Sequence, residues 1–426
     1  MGEDRSTVPN RWLQLLAGVV CMTMIANLQY GWTFFVDPLG QKFHWGNPEI
    51  QLAFTIFIVT ETVLVPVEGW FVDRFGPRWV VAFGGVLVAL GWGLDSIADS
   101  LPLLYLAAAI SGTGAAGVYG TCVANALKWF PDRRGLCAGI TAAGFGGGAA
   151  LSVMPITMTI ANFGFQTAFL WFGLGQGAII LALSFLLKAP QPGQTPKPVI
   201  RRHHHSLKDF TPVEMLRTRT FYVLYAMFVM VAASGLMVTA QVAPIAKDFG
   251  IANLPLDFVI FSAMVLPVAA FVDNLLNGFA RPFFGWVSDH LGRENTMAMV
   301  FTAGAASYFA LATFGHSPIA FILSAGLVFF TWGEIYSLFP ASCTDLYGAR
   351  HAATNSGLLY TAKGAGALLA WVASFVTLWT GSWTTVFIGA MVMNIAVAAS
   401  ALFVLKPMRV ARSRAALAPT TRPAAT

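Results

Sequence analysis

Apolar runs of about twenty residues, each long enough to cross the hydrocarbon core of a bilayer as a helix, alternate along the whole chain with short polar breaks. They predict spans near 12–35, 50–71, 79–97, 102–126, 136–160 and 166–187. Six more follow near 220–246, 257–286, 296–314, 318–340, 354–379 and 383–405. The first run shows no small-residue cleavage site, so it reads as a span and not as a removed signal. Between the sixth and seventh runs lies 188–219, basic and punctuated by Pro190, Pro192, Pro196 and Pro198. The pattern predicts an all-α membrane protein of twelve transmembrane helices in two six-helix halves: residues 1–187, a linker over 188–219, residues 220–406, and a tail over 407–426.

Charge gives the orientation. Of 25 Lys and Arg residues, all but Lys42, Lys247, Arg281 and Lys363 fall at the two ends, in the linker or in the even-numbered loops. Cytoplasmic segments are the ones enriched in these residues. Both termini and the linker are therefore expected in the cytoplasm, with the chain in the inner membrane. An internal repeat agrees: Gly69-Trp70-Phe71-Val72-Asp73-Arg74-Phe75-Gly76 returns, shifted by 216 residues, as Gly285-Trp286-Val287-Ser288-Asp289-His290-Leu291-Gly292. Each copy must reverse a helix within a few residues, and its aspartate can cap the next helix. Two copies at matched positions point to a cytoplasmic latch built from Asp73, Arg74, Arg78, Asp289 and Arg293.

Composition removes other function classes. The chain is 57% hydrophobic and 10% charged, against roughly 25% charged in soluble domains. Its formal charge of +6 sits beside spans and forms no basic domain, so no nucleic-acid partner is expected. Cys21, Cys122, Cys137 and Cys343 show no paired spacing, and His203 to His205 lie in a proline-rich stretch that reads as a solvated tether. No metal, cofactor or disulfide is expected, and no nucleophile–base pair suggests an enzyme. The glycine-rich stretches Gly112 to Gly120, Gly144 to Gly148 and Gly364 to Gly366 suit close helix contact.

Two cations fall where they do not belong. Arg281 follows about twenty mostly apolar residues, and Lys363 lies among Ala362, Gly364, Ala365 and Gly366. Arg at the centre of a membrane helix costs at least ~2.5 kcal/mol, so such a residue faces a bundle interior or a watery path. Arg281 lies eight residues from Asp289, roughly 12 Å of helix, and Lys363 is about ten residues inside its span. Both arrive near mid-membrane. Two buried cations need two negative charges, which can come from the protein or from a ligand. Asp273 and Glu61 are the protein candidates for Arg281.

Several stretches carry a resemblance. The turn G-x-x-x-D-R-x-G-x-R after the second span, its echo after the eighth and the duplicated plan resemble the major facilitator superfamily. More narrowly, Leu28 to Thr33, Lys128 to Gly135, Asn277 to Trp286, Thr331 to Gly333, Tyr336 to Pro340 and Ala362-Lys363 are similar to the oxalate/formate antiporter family. The resemblance implies a secondary active transporter of small carboxylates working by alternating access, most concretely exchanging oxalate for formate, with the lipid bilayer as its setting and a monomer as its unit. It further implies that Arg281 and Lys363 hold the substrate between aromatic walls at Tyr30, Tyr119, Trp332 and Tyr336. A guanidinium gripping one carboxylate in two bonds, beside a movable ammonium, suits a short dianion.

This chain departs from that pattern at Glu61 and Glu334, where the family is neutral, and at Phe145, which replaces a tyrosine. The repeat matches Glu61 to Asn277, one turn from Arg281, so Glu61 is expected at comparable depth in the other half. An ionised Glu61 or Glu334 near the cations removes positive charge and favours a monocarboxylate; a protonated one can carry a proton with the substrate. The competing expectations are thus a proton-coupled monocarboxylate transporter of the lactate/pyruvate type and, in another class, an anion sensor that moves nothing.

Overall fold

Prolines and small polar side chains set where the helices begin and break. The computed structural model describes residues 10–130, 134–191, 193–196, 209–257, 262–348 and 351–417. Asn10 caps the first helix by accepting from the Trp12 backbone N–H at 2.9 Å. That span consists of α1 (Arg11–Tyr30) and α2 (Thr33–Phe43), broken at Gly31 and Trp32. The second is α3 (Asn47–Val63) and α4 (Val65–Phe75), broken at Leu64 just ahead of Pro66, whose missing N–H cannot continue the ladder. Then come α5 (Pro77–Ile97), α6 (Leu101–Trp129), α7 (Arg134–Phe163) and α8 (Phe165–Ser184).

After a short helix, α9 (Pro212–Leu216), the second half runs through α10 (Arg219–Asp248), a hairpin of β1 (Pro255–Asp257) and β2 (Ser262–Met264), α11 (Val265–Leu291) and α12 (Arg293–Phe314). The tenth span is α13 (Pro318–Gly333) and α14 (Ile335–Tyr347), with Glu334 at the break. It is followed by α15 (Ala352–Thr380) and α16 (Thr384–Ser400), which continues through a wide turn at Ala401–Leu405 into α17 (Lys406–Leu417). Among the described residues, eleven segments are long and apolar enough to cross a membrane. The twelfth span is α11, which differs by carrying Asp273 and Arg281. Large apolar side chains such as Leu151, Trp379 and Phe403 are more than 70% exposed on the outside of the bundle, as a lipid-facing surface requires.

One expectation needs correction. The eighth span begins at Val265, and Asp257 and Ser262 to Met264, predicted inside it, belong to two antiparallel strands that pair Pro255 with Met264 and Asp257 with Ser262. Its 27 residues already reach about 40 Å, beyond the ~30 Å core, so no earlier apolar residue is needed. Pro267 falls in the first turn, where its missing N–H costs nothing. The end of the linker is anchored. Phe210 N–H donates to Tyr347 O at 2.8 Å, the Thr218 and Tyr347 hydroxyls bond at 2.8 Å, and Met215 is fully buried. Residues 209–218 are thus docked on the second half, while His203 to His205 lie outside the described residues.

The duplication is visible in the backbone. Gly76 and Gly292 both take positive φ, 79° and 86°, at the matched turns ahead of α5 and α12, a conformation that favours glycine. The halves meet along α7 with α11 and along α3 with α15. At the first seam a Cβ on Gly278 would lie 2.7 Å from the Gly147 Cα, so the bare Gly278 lets α11 come up against the backbone of α7. That contact brings α7 against the turn of α11 that bears Arg281.

Candidate functional site

The close approach of α7 and α11 decides what surrounds Arg281. Its Nη1 donates to the Ala142 carbonyl of α7 at 2.9 Å. Its Nη2 donates to Asn277 Oδ1, one turn earlier on α11, at 3.0 Å and to the Tyr30 hydroxyl at 3.2 Å. The guanidinium carbon lies 4.4 Å from the Tyr336 ring centroid, within cation–π range. Arg281 is fully buried, Nε has no partner, and among the described residues none of its bonds is to a carboxylate. Room for the side chain comes from Gly146, where a Cβ would stand 2.6 Å from Nε.

Lys363 reaches across the second seam from α15. Its Nζ donates to Glu61 Oε2 on α3 at 2.7 Å, to Gln29 Oε1 on α1 at 2.8 Å and to the Tyr360 hydroxyl at 3.4 Å. Lys363 and Glu61 are both fully buried. Breaking such a pair by removing one partner costs about 3–5 kcal/mol, because the survivor is left charged in a poor solvent. Of the two sources of negative charge left open by the sequence, the protein supplies one for Lys363, and Arg281 has no acidic partner among the described residues. Lys363 is matched, because α3 packs directly against α15 and brings Glu61 to it. The alternatives for Arg281 fail as well: Glu61 binds the other cation, and neither carboxylate oxygen of Asp273 has a hydrogen-bond partner among the described residues.

The two cations share their aromatic surroundings. Lys363 Nζ lies 5.6 Å from the Tyr336 ring and 5.4 Å from the Phe145 ring, and the Arg281 guanidinium is 5.9 Å from that same Phe145 ring. Tyr30 packs on Phe145 at 5.5 Å and meets Trp332 edge-on at 6.4 Å; Trp332 in turn meets Tyr336 at 5.5 Å. Tyr119 stacks on Tyr360 at 5.3 Å. The four aromatic residues predicted around the cations thus lie in one buried cluster with them. Of the two settings expected for such a cation, a bundle interior or a watery path, this conformation shows the first, with Arg281, Lys363 and Glu61 at 0% exposure.

Other candidates lie elsewhere. Glu334 is fully buried at the break between α13 and α14, and neither of its carboxylate oxygens has a hydrogen-bond partner among the described residues, so it is bonded to neither cation. At the repeated turns, Arg78 donates to Phe185 O at 2.8 Å and Arg293 bonds Asp345 at 3.1 Å, each within one half. Arg74 lies 5.9 Å from the Phe75 ring, and the side chains of Asp73 and Asp289 are outside the described set. A polar clasp between halves is found at the opposite end of the bundle. There Lys247 pairs with Asp37 at 3.2 Å, Asn47 donates to Gln241 Oε1 at 2.9 Å, and Trp371 donates to Pro48 O at 2.8 Å.

Sequence reasoning missed Gln29, Tyr360 and the bonding role of Asn277. Tyr360 was within reach, since three residues ahead of Lys363 puts it on the same helical face. Gln29 had no such spacing signal, only its polar side chain in an apolar run and its place in the stretch Leu28 to Thr33.

The comparisons with known proteins follow the same lines. The model of the Major Facilitator Superfamily matches residues 15–371. The oxalate:formate antiporter of Oxalobacter formigenes is 34% identical over 96% of this chain and 94% of its own length. Monocarboxylate transporter 13 of Rattus norvegicus is 23% identical over 89% of this chain and 85% of its own. Among solved structures, a POT peptide transporter in complex with alafosfalin superposes with a TM-score of 0.69 over 95% of this chain and 96% of that one, at 15% identity. With twelve spans in two duplicated halves, a matching family model and a relative at that identity, the chain belongs to the Major Facilitator Superfamily, alongside the oxalate:formate antiporter.

Proposed function

We propose that this transporter exchanges small carboxylates of the oxalate and formate kind by alternating access, in the inner membrane, with both termini and the linker in the cytoplasm. In this reading Arg281 and Lys363 bind the substrate's carboxylates, and Tyr30, Tyr119, Trp332 and Tyr336 form the walls. The turns bearing Asp73, Arg74, Arg78, Asp289 and Arg293 close the cytoplasmic side. The observation that carries it is the burial of both cations in one aromatic cluster between the halves, flanking the same Tyr336 and Phe145 rings. A site on the seam is the one that rocking halves expose to each side in turn. Purified protein in liposomes loaded with formate is expected to accelerate uptake of labelled oxalate, and Arg281→Gln to abolish the acceleration. Equal flux in that variant sinks the assignment.

A second reading, carriage of one carboxylate together with a proton, is favoured by Glu61 bonded to Lys363. It leaves Arg281 as the cation without an acidic partner among the described residues, and that suits a single negative charge. Uptake driven by an inward proton gradient with no anion inside the vesicle distinguishes this version.

A further inference from the structure

Lys363 is held by a carboxylate of its own chain, and the bond crosses the seam. Glu61 and Gln29 come from the first half and Lys363 from the second, yet both oxygens sit within 2.8 Å of the one ammonium. A carrier whose mid-membrane site holds two uncompensated cations resists bringing its halves together without a bound anion, because closure strips water from both charges at once. Such a carrier is confined to one-for-one exchange. Here the ammonium is already neutralised in the closed arrangement, and the Arg281 charge is spread over the Ala142 carbonyl, Asn277, Tyr30 and the face of Tyr336.

We infer that Glu61 is an internal substitute for a substrate carboxylate: it occupies Lys363 when the carrier is empty, yields it when substrate binds, and so lets the empty carrier reorient. The inference rests on the carboxylate-transport reading above. A place for the displaced carboxylate exists beside it. Gln29 Nε2 is buried with no hydrogen-bond partner, and so is Glu61 Oε1. The two side chains already meet at the same ammonium, so the amide can donate to Glu61 once substrate takes Lys363. The consequence is functional: the chain catalyses net movement of its substrate and not exchange alone.

The test compares two fluxes from liposomes loaded with labelled formate or labelled oxalate, with the membrane potential clamped by potassium and valinomycin. One is efflux into buffer lacking any carboxylate, and the other is efflux into buffer containing the same unlabelled anion. The native protein is expected to give clear net efflux, slower than exchange but within about tenfold of it. In Glu61→Gln the ratio of net to exchange flux is expected to fall at least about tenfold, a change equivalent to 1.4 kcal/mol, while Glu61→Asp keeps the native ratio. A native ratio in Glu61→Gln overturns the inference, and so does a native protein that exchanges but gives no net efflux. A Glu61→Gln protein that does neither while Glu61→Asp does both overturns it too, since Glu61 is then required in the substrate-loaded steps. If the native protein moves neither anion in either mode, the carboxylate-transport reading itself has failed.

Discussion

A single methyl group at Gly146 tests whether the position of Arg281, and not merely its charge, matters. In Gly146→Ala the new Cβ would lie 2.6 Å from Arg281 Nε and 2.7 Å from Asn277 Oδ1, where ordinary contact begins near 3.4 Å. The guanidinium must retreat by most of an ångström. Its bonds to Ala142 O and Asn277, at 2.9 and 3.0 Å, then pass the distance at which a hydrogen bond fails. A hydrogen bond to a charged group is worth about 1.5–3 kcal/mol, so a substrate bound by a displaced guanidinium is expected to lose roughly ten- to hundredfold in affinity. Alanine in a helix is favoured over glycine by up to ~1 kcal/mol, which offsets only part of the stability lost with those bonds, so thermal unfolding is read beside transport. The assay is counterflow of labelled oxalate or formate over a range of concentrations, with KM as the readout. Gly147→Ala is the control, because its Cβ would meet Gly278 and Asn274 at an ordinary 3.5–3.6 Å. A native KM in Gly146→Ala, or an equal loss in Gly147→Ala, refutes the reasoning.

Other perturbations separate geometry from charge. Arg281→Lys keeps the charge but has one nitrogen in place of the two that reach Ala142 on one side and Asn277 and Tyr30 on the other; counterflow is expected to drop at least about tenfold, one lost charged hydrogen bond, and near-native flux would argue that charge alone suffices. Lys363→Gln strands Glu61 and should destabilise the protein by about 3–5 kcal/mol, which the added Glu61→Gln should largely restore; thermal unfolding in detergent reads both, and an unrestored double variant contradicts the pairing. Lys247→Ala removes an ion pair whose side chains are 54% and 36% exposed, a contact worth about 0–1 kcal/mol, so transport is expected to change less than about fivefold, and a near-complete loss would make this clasp far stronger than its exposure implies.

How much of this was legible in the chain follows from what each signal measures. Helices were legible because lipid leaves backbone groups no other partner, and the repeat was legible because Gly76 and Gly292 need the same unusual φ. The start of α11 was not, since hydropathy cannot tell a hairpin lined with apolar residues from one more helical turn. The site divides the same way. Hydropathy and the repeat read depth, and they put Glu61 level with Asn277, one turn from Arg281. Which neighbour a side chain meets depends on rotation about the helix axis, and successive residues differ by about 100°. At similar depth Asn277 turns to Arg281, while Glu61, on the face of α3 that packs against α15, turns to Lys363. That difference of azimuth separates two unmatched cations from one matched and one not. It is decided by packing across the seam, between residues 302 apart in sequence, where no local pattern reaches. An acidic residue appearing at the depth of a buried cation in a duplicated carrier is therefore a candidate partner for whichever cation the opposing helix presents, and only the seam identifies it.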